Sequence, residues 1–272
     1  MGTSQPGHGP SRRQVVLGLG GGGFALALLG ACSSDGSAPG SGAGSGSGTA
    51  TAASPAPGTP SAPEPSSDAP GTPEAGVDGA PGWARVNLGF VSAYVLVRGR
   101  EAAVVDTGVA GSADAIGAVL DAAGPGWAGV RHVVLTHHHR DHAGSLPDVL
   151  TRAGAATGYV GAADLEQVAA APRPLTPLED GAEVFGLQLV GTPGHTAGHM
   201  SVFDPETGVL VAGDAIRNTD GLQGSSPPNT ADPAAAQASV GRLARLPVRT
   251  VLFGHGDPLT TDVVAALREL AG

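Results

Sequence analysis

The chain is divided by its own residues 33–82. Of these 50 positions, 44 are Gly, Ala, Ser, Pro or Thr, and the single larger apolar side chain is Val77. Such a stretch has almost nothing to bury against the entropy cost of ordering, so it reads as a disordered linker. It also concentrates much of the 45 Gly and 23 Pro of the 272-residue chain. Whatever folds must do so from Trp83 to Gly272, where Val, Leu and Ile runs suffice for one sizeable core. The expected division is 1–31 a leader, 32–82 a linker, and 83–272 one folded domain.

Charge narrows the partners. All 14 basic residues are Arg, and 12 of them fall in 83–272 against 19 Asp plus Glu, a net charge of −7 with no basic run. A nucleic-acid partner is therefore not expected. Histidine is the other anomaly: eight of the nine lie in the same stretch, and they cluster.

The leader reads as an address. Arg12-Arg13 precede an uncharged, Gly-interrupted apolar run that ends at Leu29 and is shorter than the roughly 20 residues needed to cross a bilayer. The Arg pair resembles a twin-arginine export signal, and Leu29-Gly30-Ala31-Cys32 resembles the lipobox of bacterial lipoproteins. That resemblance implies cleavage before Cys32, acylation of its sulfur and amine, and an exported protein held by lipid on the extracytoplasmic side of the cell membrane. The linker would then space the domain by roughly 40 Å root-mean-square. Cys32 is the only Cys, so the domain holds no internal disulfide.

Within the domain, Val91–Val97 and Ala102–Val105 read as a hairpin around Arg98-Gly99-Arg100. Residues 112–123 read as a helix capped by Ser112 and stopped by Gly124-Pro125, and Val130–Leu135 as a strand. Further strands are expected at 157–160, 183–191, 199–203, 208–212 and 248–253, and helices near 143–154, 162–170, 232–246 and 259–270. Strands and helices alternate, giving a layered α/β or α+β domain.

The chemistry begins where the 130–135 strand ends. Thr136-His137-His138-His139-Arg140-Asp141-His142 contains His-x-His-x-Asp-His. In extended chain, residues two apart point to one side, so His137 and His139 can share a metal while the turn delivers Asp141 and His142 to a neighbouring position. Three later segments add His195 in Thr192-Pro193-Gly194-His195, Asp214 after Val211-Ala212-Gly213, and His255 between Gly254 and Gly256. The small residue beside each lets backbone approach a crowded centre. His138 and His132 read as structural.

In these motifs, and in Val105-Asp106-Thr107-Gly108, the domain resembles the metallo-β-lactamase fold hydrolases over nearly all of 83–272. The resemblance implies an αββα sandwich with the site at one edge. It implies His137, His139 and His195 on one metal, Asp141, His142 and His255 on a second, and Asp214 bridging them. It further implies Asp106 and His199 as supports behind the ligands. Two divalent ions could activate a bridging hydroxide to cleave a small ester, thioester, lactone or amide, with Asp141 assisting the leaving group. Zinc fits the His and carboxylate set best, though iron and manganese accept it too.

The missing Cys and the Asp214 position resemble the glyoxalase-II-like and lactonase branches rather than true β-lactamases. The chain ends 17 residues after His255 and has no Lys, so glutathione thioesters are not the expected substrate, and the Tyr of the lactonases is replaced by Ile216-Arg217. Arg217 is expected to face substrate, with the 218–228 loop. Two alternatives stand beside the hydrolase: a mononuclear iron persulfide dioxygenase of the same fold, and a non-catalytic metal- or ligand-binding lipoprotein.

Overall fold

The computed structural model describes residues 76–272, except 78 and 170. The leader, Cys32 and most of the linker lie outside the described residues. The packed chain starts upstream of Trp83: Val77 and Ala80 form a bridge, Val77 N donates to Trp83 O at 3.1 Å, and Ala80 is buried. The end of the expected linker is thus part of the fold, because two small apolar side chains cover the first strand.

One sheet runs in chain order through β1 (Trp83–Asn87), β2 (Ser92–Arg98), β3 (Glu101–Val105), β4 (Val130–Val134), β5 (Thr157–Gly161) and β6 (Thr176–Leu178). Its first three strands are antiparallel and the rest parallel. The second sheet holds β7 (Glu183–Val184), β8 (Leu187–Gly191), β9 (Met200–Asp204) and β10 (Val209–Gly213). After a small ribbon, β11 (Ile216–Arg217) with β12 (Gln223–Gly224), strand β13 (Thr250–Phe253) joins this sheet parallel to β10. The helices are α1 (Ala113–Ala123), α2 (Gly126–Gly129), α3 (Arg140–Ala143), α4 (Leu146–Arg152), α5 (Pro233–Leu243) and α6 (Val263–Ala271).

Strand alternation sorts the side chains into three cores. On β2 and β3, Tyr94, Leu96, Ala103 and Val105 point to the second sheet, where they meet Leu187, Leu189, Val202, Val211 and Leu252. Their neighbours Ala93, Val95, Ala102 and Val104 point the other way, to Ile116 and Leu120 of α1 and Leu146 and Leu150 of α4. On the far face of the second sheet, Leu210, Ala212, Val251 and Phe253 pack on Val240 and Leu243 of α5 and Leu267 of α6. The result is helices, sheet, sheet, helices, the expected αββα sandwich. A buried polar clasp crosses between the sheets: Asp204 accepts from Trp83 Nε1 at 3.1 Å and from Arg98 Nη2 at 2.8 Å.

Local expectations shift in several places, and β1 falls outside every expected strand. Ser112 precedes α1, but its backbone is itself helical and its side chain makes no capping bond. The 183–191 strand is a hairpin turned by Phe185 and Gly186, both at positive φ. The helix near 162–170 is a 3-10 turn over Ala162–Gln167.

Candidate metal centre

Four chain segments leave the sheets at one edge and meet there. The 136–142 segment follows β4, the 192–199 turn follows β8, Asp214 follows β10, and His255 follows β13, which runs parallel to β10. His137, Asp214 and His255 stand just beyond strand ends, the 192–199 turn presents His195, and Asp141 and His142 lie on the short helix α3.

Two donor groups form. His139 Nδ1 lies 3.1 Å from His137 Nε2 and 2.9 Å from His195 Nε2. His255 Nε2 lies 3.4 Å from His142 Nε2 and 3.3 Å from Asp141 Oδ2. Asp214 stands between: its Oδ1 is 3.1 Å from His142 Nε2, and its Oδ2 is 3.4 Å from His195 Nε2 and 3.3 Å from His255 Nε2. The structure brings together all seven residues singled out as ligands, in the groups His137/His139/His195, His137/His142/Asp214 and Asp141/His142/His255.

Hydrogen bonds on the outer nitrogens decide which lone pairs face inward. Thr136 Oγ1 donates to the Asp106 carboxylate at 2.9 Å, so toward His137 Nδ1, at 3.0 Å, it must accept. His142 Nδ1 donates to Asp106 Oδ2 at 2.9 Å, and His255 Nδ1 to the Phe90 carbonyl at 2.7 Å. Thr230 donates to the Ser226 carbonyl and so accepts from Ser225, whose own oxygen accepts from His195 Nδ1 at 2.9 Å. In the neutral ring, each of these four histidines thus turns an unprotonated Nε2 inward. Asp214 Oδ1 is buried with no hydrogen-bond donor aligned on it, despite its 3.1 Å approach to His142. Converging lone pairs and an unpaired buried carboxylate oxygen fit divalent cations.

The charges divide along the same line. Burial keeps His137, His139 and His195 below the usual imidazole range, His195 at about 4, so these three are neutral near pH 7. Burial pulls the other two down as well, but carboxylates outweigh it: Asp214 and Asp106 hold His142 well above that range, and Asp141 and Asp214 raise His255 to about 10. For Asp214, burial opposes ionisation, yet the neighbouring His142 and His255 hold its carboxyl well below the usual range.

Asp106 and His199 both lie against the cluster. Asp106, buried and at φ 62, also accepts from Thr136 N at 2.8 Å. His199, held at about 3 first by burial, accepts from Asp214 N at 3.0 Å and donates to Thr192 Oγ1 at 2.8 Å, so it sets the Asp214 backbone. Gly254 is required for close approach, since a Cβ there would meet Asp214 Oδ1 at 2.5 Å and His142 Cε1 at 2.6 Å.

His132 packs in β4 against Tyr159 and Phe185. His138 turns out of the site toward Asp164. Arg217 is not brought to the cluster: its guanidinium donates to Gln223 across the β11–β12 ribbon. A cavity of about 360 Å³ opens beside His139 and His195, lined also by Gln167, Pro228, Asn229 and Thr230, and Arg217 is not in its wall. The 218–228 loop does reach the site, through Ser225 and Pro228. Sequence reasoning missed Ser225, Thr136, the Phe90 carbonyl and Asp164.

Residues 86–255 match the family profile of the metallo-beta-lactamase superfamily. A hydroxyacylglutathione hydrolase of Pseudomonas putida (strain W619) is 34% identical over 160 residues, which cover 57% of this chain and 56% of that protein. The chain thus spans little more than half the length of such relatives. Metallo-beta-lactamase domain-containing protein 1 of Xenopus laevis is 35% identical over 173 residues, 60% of this chain and 70% of that protein. Among solved structures, TTHA1623 in a di-iron-bound form superposes with a TM-score of 0.54 at 28% identity, covering 64% of this chain and 92% of that one.

Proposed function

We propose that this chain, which belongs to the metallo-beta-lactamase superfamily, is a two-metal hydrolase of a small ester, thioester, lactone or amide. The observation that carries the reading is the Asp214 carboxylate, which reaches both donor groups at once. His137, His139 and His195 would hold one ion, Asp141, His142 and His255 the other, with Asp214 shared. Bound there, divalent ions would supply Lewis acidity and lower the pKa of a water toward neutrality.

The chain's own groups take the remaining tasks. The cavity beside His139 and His195, about 360 Å³, suits a small substrate. Asn229 in its wall can donate from its amide to an oxygen of an acyl group. Asp141, whose side chain is partly open to solvent beside His255, would take a proton from the attacking water and pass it to the leaving group. The name of the Pseudomonas relative keeps a thioester among the candidates. Zinc suits the donor set best, and the di-iron relative keeps iron in view.

Metal analysis with a hydrolysis panel of chromogenic esters, thioesters, lactones and amides tests the reading. Two ions per chain with turnover, both diminished in His139→Ala, are expected. A single iron with oxygen consumption would overturn it, as would a His139→Ala protein with full metal and activity.

Export and lipid anchoring at Cys32 belong to the same proposal, supported by Arg12-Arg13, the uncharged run and Leu29-Gly30-Ala31-Cys32. Among the described residues no helix is long and apolar enough to cross a membrane. Cys32→Ser should move the protein from the membrane fraction to the soluble one; unchanged membrane association would refute acylation there.

A further inference from the structure

Asp164 sits in the 3-10 turn after β5, and its side chain is 1% exposed. All its side-chain partners come from two other segments. Oδ1 accepts from Gly198 N at 2.7 Å; Oδ2 accepts from Thr196 Oγ1 at 2.7 Å and His138 N at 3.2 Å, and lies 3.0 Å from His138 Nδ1. His138 stands between His137 and His139, Thr196 follows His195, and Gly198 precedes His199. One carboxylate therefore grips both loops that supply the three-histidine group, one loop from each sheet.

Apart from the histidines themselves, whose rings meet across the gap, few contacts among the described residues join those loops. Among the described residues their backbones meet at their base, where Met200 N donates to Thr136 O at 2.8 Å. Contact at the Asp164 end is close enough to require glycine: a Cβ on Gly198 would lie 2.4 Å from Asp164 N and 2.7 Å from its Oδ1. Several N–H and O–H groups converging in a buried place need an acceptor with two oxygens, and an apolar side chain would leave them unpaired. An amide supplies one oxygen and turns its NH2 onto a donor.

We infer that Asp164 is a positioning residue for the three-histidine pocket, a clasp that sets the His139 Nδ1 to His195 Nε2 spacing by holding the backbones on either side of it. The inference rests on the proposal that His137, His139 and His195 hold an ion.

Cobalt(II) titration of the metal-stripped full chain tests it, reading stoichiometry, affinity and the visible absorption that reports cobalt geometry. Asp164→Asn should weaken cobalt at the three-histidine pocket on the order of tenfold, the lower end for groups that support metal ligands, and alter its absorption. Thr196→Val, which removes one bond of the clasp, should give a smaller loss in the same direction. Melting of the stripped proteins separates positioning from folding. If Asp164→Asn does not fold, Thr196→Val decides alone, and wild-type cobalt affinity in a folded Thr196→Val would then refute the clasp. A folded Asp164→Asn with wild-type affinity and absorption would also refute it. A wild-type chain that binds no cobalt would instead sink the metal reading itself.

Discussion

Replacing Asp106 by Asn isolates what a buried carboxylate does for a histidine it touches. Asp106 occupies the left-handed region at φ 62, which Asn tolerates and Ala does not, so the backbone is kept. The amide oxygen can still accept from Thr136 N, now 2.8 Å from Oδ1. What changes is the atom facing His142 Nδ1 at 2.9 Å: an acceptor becomes an N–H donor. That bond survives only if the imidazole moves its proton to Nε2, the atom that lies 3.1 Å from Asp214 Oδ1 and should face the second ion. The inward lone pair is lost. Removing such a support costs about 10–100-fold in metal affinity, or about 1.4–2.8 kcal/mol. Zinc calorimetry on the stripped protein should find the three-histidine ion bound nearly as in the wild type and the second ion weakened by that factor. Two ions at wild-type affinity in a folded Asp106→Asn protein would refute the tautomer argument.

Other outcomes follow from the same geometry. In metal-free protein, charged His255 contributes stability that is complete below about pH 6.5 and is lost as pH rises through about 10; the denaturation midpoint of the chelated protein should fall across that window, and a flat profile would contradict the pairing with Asp141 and Asp214. Near neutral pH, loading Asp141, His142 and His255 must displace protons, whereas His137, His139 and His195 are already neutral. Calorimetry in buffers of different ionisation enthalpy should therefore assign proton release to the second ion, and release with the first would contradict it. Gly254→Ala drives a methyl between Asp214 Oδ1 and His142 Cε1, 2.5 and 2.6 Å from an ideal Cβ. Metal analysis should find the second ion diminished, and full occupancy would show that the site can yield there.

The histidines and carboxylates that meet in the cluster were legible in the sequence for local reasons. His137 and His139 are two apart just past a strand end, so extended geometry alone puts them together. Asp214 and His255 each follow an apolar strand and a glycine. The layering was less legible from pattern, because β2, β3 and β10 are apolar on both faces and lack the alternation that tells a covered face from a wet one. β1 was missed as a strand for a related reason: its Arg85 is buried, bonded to Ser92 Oγ, Asp257 Oδ1 and Gly256 O, and reads in sequence as solvent-facing. A cation on a loop beside a ligand suggested a substrate contact, but the Arg217 to Gln223 register of the ribbon provides a partner within the chain.

The least legible part is what sets the protons. A sequence offers two nitrogens per histidine, and the choice between them is made by Ser225, 30 residues from His195, and by the carbonyl of Phe90, 165 residues from His255. A hydroxyl on a connector and a main-chain oxygen carry no residue-type signature, yet they determine whether the same histidines present lone pairs or protons to the site. Asp164 belongs with them: it ligates nothing in the proposed scheme, and only the folded chain reveals that its partners flank the ligands. Histidine spacing alone therefore points to a metal-binding family, while the protonation that the proposed site requires follows from contacts between distant segments.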